Sequence, residues 1–151
     1  MPRFYEDLEV GATSRSPLTY LVTEEEIREV GERWDPQPFH VDPEAAAASP
    51  FGGLVASTVH LFAIAVSLGV KGDPTAAVSS LGMTNFVNHS PARPGDELSL
   101  LGTVTDRRLS ASKPGLGIVQ FRGELSNQRG ELVFSYENAA LIRCRDLPDG
   151  G

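Results

Sequence analysis

Cysteine is almost absent from this chain of 151 residues. Cys144 stands alone, so no internal disulfide can form; it reads as a packed thiol in a terminal strand and fits a reducing cytoplasm. Positive charge is also scarce. Thirteen Lys and Arg stand against twenty Asp and Glu, a net charge of -7, the opposite of what a phosphate-backbone binder needs, so nucleic acid is excluded as an expected partner. Three scattered histidines and one cysteine give no metal-ligand spacing. No Gly-rich phosphate loop and no Gly-x-Ser-x-Gly elbow occurs. Neither a metal nor a cofactor is expected.

Long hydrophobic runs are missing as well. Residues 1–20 carry early charges and no continuous apolar run, so neither a signal peptide nor an anchor is expected there. The longest apolar block, 54–70, is interrupted by Ser57, Thr58, His60, Ser67 and Gly69 and falls short of the ~20 residues a membrane helix needs. The expectation is a cytoplasmic protein with no membrane partner.

What is present suffices for one core. With 40% hydrophobic residues and no long polar tract, residues 1–151 form a single domain with a short flexible tail from about 146. Gly11 and Pro17 break the opening stretch, 4–19, into an irregular arm with room for one strand. Thr23 then caps a helix whose first turn holds Glu24, Glu25 and Glu26, with Ile27 and Val30 at helical spacing. These acids read as a solvated helix start. The helix must stop before Pro36.

The next ten residues, Trp34-Asp35-Pro36-Gln37-Pro38-Phe39-His40-Val41-Asp42-Pro43, set two acids and a histidine among three prolines. A residue before proline is pushed out of the α region, so Asp35 and Gln37 favour extended geometry and the loop is stiff. Asp42, Pro43 and Glu44 read as N-cap, first helical residue and first-turn acid of a short helix over 45–48, with His40 just outside it. After Pro50-Phe51-Gly52-Gly53, residues 54–70 run as a helix apolar nearly all round, which needs cover on most sides. From Ala76 the period becomes that of strands, over 78–88, 97–107, 117–125 and 131–144. An antiparallel sheet whose concave face wraps one apolar helix buries both surfaces, which predicts an α+β domain.

Asp35 and His40 lie five residues apart, about 15 Å along a polyproline path, so spacing alone does not join them. If the loop curls, the carboxylate and imidazole face one water or one carbon, as neutral-pH acid–base chemistry requires. The alternative is that Asp35 caps a turn and His40 is a satisfied loop histidine. His60, inside the apolar helix, reads as hydrogen-bonded core, and His89 as a strand-end residue.

Asp35-x-Gln37-Pro38-Phe39-His40, followed by Asp42-Pro43, an alanine-rich turn, Phe51-Gly52-Gly53 and an apolar helix, resembles the MaoC-like dehydratases, relatives of the (R)-specific enoyl-CoA hydratases. Arg93-Pro94-Gly95-Asp96 before a strand, and 127–131 between the last two, extend the likeness over nearly the whole chain. The resemblance implies a hot-dog fold, an antiparallel sheet around a long central helix, in a homodimer or dimer of dimers. It implies reversible hydration of a 2-enoyl thioester of CoA or an acyl carrier protein, with Asp35 and His40 as the catalytic pair. Substrate contacts are implied for Gln37, Phe39, Gly53, Ser57 and Thr58, the last supplying an N–H to the thioester oxygen. Gln37 stands where the family more often has asparagine, and Thr58 where many members have glycine.

A CoA handle needs local positive charge, for which Arg93, Arg107, Arg108, Lys113, Arg122 and Arg129 are candidates; each alone reads as a solvated surface charge. Two other functions stay open. A thioesterase of this fold commonly places an acid on or near the central helix, and 54–70 has none, although Asp35 would serve. A non-catalytic thioester-binding subunit would keep the motif as a structural loop.

Overall fold

The change of hydrophobic period near residue 76 marks where the chain turns from helices to sheet. The computed structural model describes residues 1–146, so the expected tail lies, but for Asp146, outside the described residues. Strands β2 (Ala77–Asn88), β3 (Glu97–Leu109), β4 (Leu116–Ser126) and β5 (Leu132–Arg143) follow the expected segments closely. The N-terminal arm contributes more than expected, a full strand β1 (Thr13–Leu21). Pro17 is tolerated because β1 is an edge strand whose register slips between Arg15 and Thr19, where ladder bonds are not required. The five strands pair antiparallel in the order β1-β3-β4-β5-β2.

Besides a 3₁₀ turn at Tyr5–Asp7, four α-helices occur among the described residues: α1 (Glu24–Trp34), α2 (Pro38–Val41), α3 (Pro43–Ala48) and α4 (Thr58–Gly72). Thr23 caps α1 by accepting the Glu26 N–H at 3.2 Å. Asp42 caps α3 by accepting from the Glu44 and Ala45 N–H groups at 3.0 and 3.3 Å. The apolar helix differs from its expected span of 54–70. It starts at Thr58, because residues 54–57 spend their backbone groups elsewhere: Val55 N–H donates to Phe39 at 3.1 Å and Ala56 N–H to Ala92 at 2.9 Å. This extended segment is what later fixes the site.

Helix α4 lies chiefly against β1 and β3. Its Leu61, Ile64 and Leu68 meet Ile27, Leu98, Leu100, Leu125 and Phe134 in the main core. Along β4 the odd residues share a face. Leu125 therefore joins that core while Val119 joins a second cluster with Leu8, Val104 and Ile142 under the N-terminal arm. The other edge is bare. Nearly every residue of β2 is exposed, including Val78, Leu81, Phe86 and Val87, and Val59, Val66 and Val70 form an exposed stripe on α4. Between α4 and the β5–β2 side of the sheet lies an open groove of about 400 Å³ lined by Val66, Val70, Met83 and Tyr136 among others.

Phe134 is fully buried and its ring packs against Phe86 and Tyr136. Phe134→Ala should cost about 3–5 kcal/mol in urea unfolding, the usual loss when a buried ring leaves a cavity.

Candidate active site

Helix α1 ends at Trp34, and Asp35 is its C-cap, with its N–H bonded to the Gly31 carbonyl at 2.9 Å. Gln37 keeps the extended geometry that Pro38 imposes (φ -67, ψ 143). Pro38 then opens α2, where a missing N–H costs nothing and a fixed φ helps. The stretch from Asp35 to His40 is thus folded back by a helical turn, not drawn out along a polyproline path. His40 Nε2 comes within 3.4 Å of Asp35 Oδ2. His40 therefore sits within its own short helix, α2, where the sequence placed it in a loop.

His40 is 6% exposed and its Nδ1 lies 2.6 Å from the Val55 carbonyl oxygen. A carbonyl oxygen only accepts, so Nδ1 carries the proton and Nε2 is the nitrogen left to gain or lose one. The Asp35 carboxylate is half-buried, with 32% of its side chain exposed. Helix α1 must approach closely for this. A Cβ on Gly31 would lie 2.9 Å from His40 Cβ and 3.1 Å from its carbonyl oxygen, so only glycine lets α2 pack there. Gly31 is a site residue that the motif did not flag. Its signal was a glycine on the core-facing side of a helix, four residues after Ile27.

The segment that holds His40 leads straight into α4. Ser57 is 1% exposed and its hydroxyl caps the helix by accepting the His60 N–H at 3.3 Å. The Thr58 and Val59 N–H groups, first in the helix, face outward from its positive end. Thr58 Oγ1 is held by the Asn88 amide at 2.9 Å, which ties its branched side chain to the end of β2. Phe39 packs edge-on to His40 (4.6 Å between centroids) and tilted against Phe51 (5.2 Å). Gly53 lies in the turn after Phe51, under the Arg93 guanidinium, and Gln37 is exposed. Asp35, His40, Phe39, Gly53 and the start of α4 thus occupy one neighbourhood, where Ser57 has a capping role and Gln37 projects to solvent.

A second polar cluster went unread in the sequence. Glu24 and Glu25 are exposed as expected, whereas Glu26 is partly buried and engaged. Its Oε1 accepts the Tyr20 hydroxyl at 2.6 Å and lies 2.7 Å from His60 Nε2, joining β1, α1 and α4. His60 is 2% exposed, a hydrogen-bonded core histidine as the apolar helix implied. Burial pushes the Glu26 carboxyl up, but bonds from Tyr20 and His60 and the positive charge available on His60 outweigh it, and the carboxyl stays below its ordinary 4.5. The same bond, with some burial, pushes the Tyr20 phenol up to about 12.

The remaining candidates fall outside this neighbourhood. His89 is exposed just past β2, its Nε2 2.8 Å from Ser135 Oγ. Cys144 is buried just past β5, and burial followed by the Glu6 charge raises its thiol pKa. Among the described residues no three His, Cys, Asp or Glu side chains cluster to hold a metal, and no helix is long and apolar enough to cross a membrane.

Comparison with known proteins places this geometry. Residues 8–120 match the model of the MaoC like domain. A crystal structure of a MaoC-like dehydratase from Rhodospirillum rubrum superposes with a TM-score of 0.88 at 38% identity, covering 95% of this chain and 99% of that one. The sheet-around-helix architecture is therefore the hot-dog fold. An uncharacterized protein of Bacillus subtilis, YdeM, is 31% identical over 81% of this chain and 86% of its own. A mesaconyl-CoA hydratase of Haloarcula hispanica is 31% identical over 80% of this chain, which spans 36% of that longer enzyme.

The Glu26 cluster makes a pH prediction. A carboxyl held below its unfolded value stabilises the fold above that value, and the stabilisation disappears as pH falls through the lowered one. Wild-type denaturation midpoints should therefore drop as pH is taken below 4.5, and Glu26→Gln should lack that portion of the drop. An unchanged acid limb in Glu26→Gln would show that the carboxylate contributes nothing to it.

Proposed function

The chain belongs to the MaoC-like domain family, and from that premise we propose that it is a hydratase/dehydratase that reversibly adds water across the double bond of a 2-enoyl-CoA. The observation that carries this reading is the 3.4 Å approach of His40 Nε2 to Asp35 Oδ2, with Nδ1 anchored on Val55, in the segment that leads into the N-terminus of α4. The hydratase name of the Haloarcula relative points the same way.

In the hydration direction, water bonds through oxygen to the β-carbon, one member of the pair takes its spare proton, and the other gives a proton to the α-carbon from the same side. A proton passed across the short gap between the two then resets the pair. Between these steps negative charge gathers on the thioester oxygen. The Thr58 N–H, at the positive end of α4, stabilises that oxyanion, and the Asn88 amide holds the threonine hydroxyl out of its way. Phe39 walls the thioester, the turn at Gly53 lines the approach of its handle, and the exposed Gln37 amide stands at the rim. A thioesterase arrangement is less well served, because α4 carries no Asp or Glu.

The working unit we propose is a dimer. An unpaired twelve-residue edge strand flanked by an apolar helix stripe is a surface that proteins cover. Antiparallel pairing of β2 with β2 of a second copy, about a two-fold normal to the sheet, would set the two α4 helices antiparallel. The open groove by the C-terminal half of one α4 would then lie near the catalytic loop of the other, as a space for the acyl chain.

Loss of conjugated-thioester absorbance across a panel of 2-enoyl-CoAs tests the chemistry. Wild type should turn over at least one member, and folded Asp35→Asn and His40→Ala should each lose about 10²–10⁴-fold in kcat. Full activity in either variant would remove that residue from the mechanism, and release of free thiol without hydration would replace the hydratase by a thioesterase. For the dimer, sedimentation should give twice the chain mass, and Val66→Glu with Val87→Lys should halve it; a wild-type monomer would end the composite-site proposal.

A further inference from the structure

Arg93 opens the turn Arg93-Pro94-Gly95-Asp96, which is closed by the Asp96 N–H on the Arg93 carbonyl at 3.0 Å. Gly95 supplies the left-handed third position (φ 90) and Pro94 the fixed second one, so the arginine is presented from a rigid support. The adjoining residue, Ala92, accepts the Ala56 N–H, which puts the turn against the segment that holds His40 and leads into α4. The guanidinium itself reaches over Gly53, where a Cβ would stand 3.7 Å from Nη1.

Among the described residues the charge has no counterpart. Of the half-buried basic residues, Arg3 pairs with Asp73 and Arg107 donates to the carbonyls of Tyr5 and Leu8, whereas the Arg93 side chain has no hydrogen bond or ion pair among the described residues. The carboxylate of its own turn is already engaged: Asp96 Oδ2 accepts the Arg93 backbone N–H at 2.9 Å, and Oδ1 takes Gln128 at 3.1 Å and faces Arg129 at 3.6 Å. In a protein with seven more acids than bases, a half-buried guanidinium left free beside the mouth of the site is an available anion receptor.

Resting on the hydratase reading for the identity of the ligand, the geometry points to Arg93 as the receptor for a phosphate ester on the thioester's handle, across the Gly53 turn from the catalytic pair. The 4′-phosphate of the pantetheine arm is common to CoA and to an acyl carrier protein; the further phosphates of CoA belong to its nucleotide. Arg93 is assigned to binding and to no proton transfer at Asp35 or His40.

Calorimetric titration of wild type, Arg93→Ala and Arg93→Lys with CoA, 4′-phosphopantetheine and pantetheine tests this without requiring turnover. Arg93→Ala should weaken both phosphorylated ligands at least about tenfold, as expected when a charge-assisted hydrogen bond is lost, and leave pantetheine unchanged. Arg93→Lys should fall between, keeping the charge without the fork. Weakening of CoA alone would assign the phosphate to the nucleotide side. Equal weakening of pantetheine, unchanged CoA affinity in Arg93→Ala, or wild type that binds CoA no better than pantetheine would overturn the receptor. Each of those results leaves the hydratase reading to its own absorbance assay.

Discussion

One hydrogen bond organises the site: that between His40 Nδ1 and the Val55 carbonyl. It fixes the tautomer of the imidazole, turns Nε2 toward Asp35, and fastens the proline-framed loop to the segment that starts α4. The bond is possible only because Val55 and Ala56 are extended and bridge Phe39 on one side and Ala92 on the other. A helix begun at residue 54 would have turned the same carbonyl into its own ladder. The late start of α4, set by the Ser57 cap, therefore belongs to the site's construction as well as to the fold's.

Around that bond the protein draws rigidity from several sources. Pro38 fixes the entry to α2, Gly31 lets the helix beneath come close, and Asp42 caps the next helix within two residues of His40. Each restricts the loop before any ligand arrives, so less freedom remains to be lost on binding. At the margin of the core, the Tyr20–Glu26–His60 cluster has a comparable role, joining β1, α1 and α4.

Much of this was legible in the residues. Thr23 and Asp42 announce helix starts because their side chains serve free backbone N–H groups, and both do so in the structure. Strand positions followed from a period of two and from the Pro-Gly and Asn-Gln-Arg-Gly turns, which depend on local chemistry alone. What was not legible depended on tertiary partners. Residues 54–57 have a helical composition, and only bonds to Phe39 and Ala92 draw them straight. Glu26 looks like one of three equal acids until Tyr20 and His60, remote in sequence, close on it. The curl that joins Asp35 to His40 was likewise hidden, because Pro36 argues for extension there and Pro38 for a helix start.

The proposed hydration uses His40 with Nδ1 anchored on the Val55 carbonyl, which leaves Nε2, facing Asp35, as the nitrogen that exchanges a proton. Long-range ¹H–¹⁵N correlation of the histidine rings reads this directly. In the neutral ring, Nδ1 should be protonated and Nε2 should show a bare-nitrogen shift, the latter moved by Asp35→Asn or by an added enoyl thioester. A neutral ring protonated on Nε2, or an Nε2 signal indifferent to both changes, would contradict it.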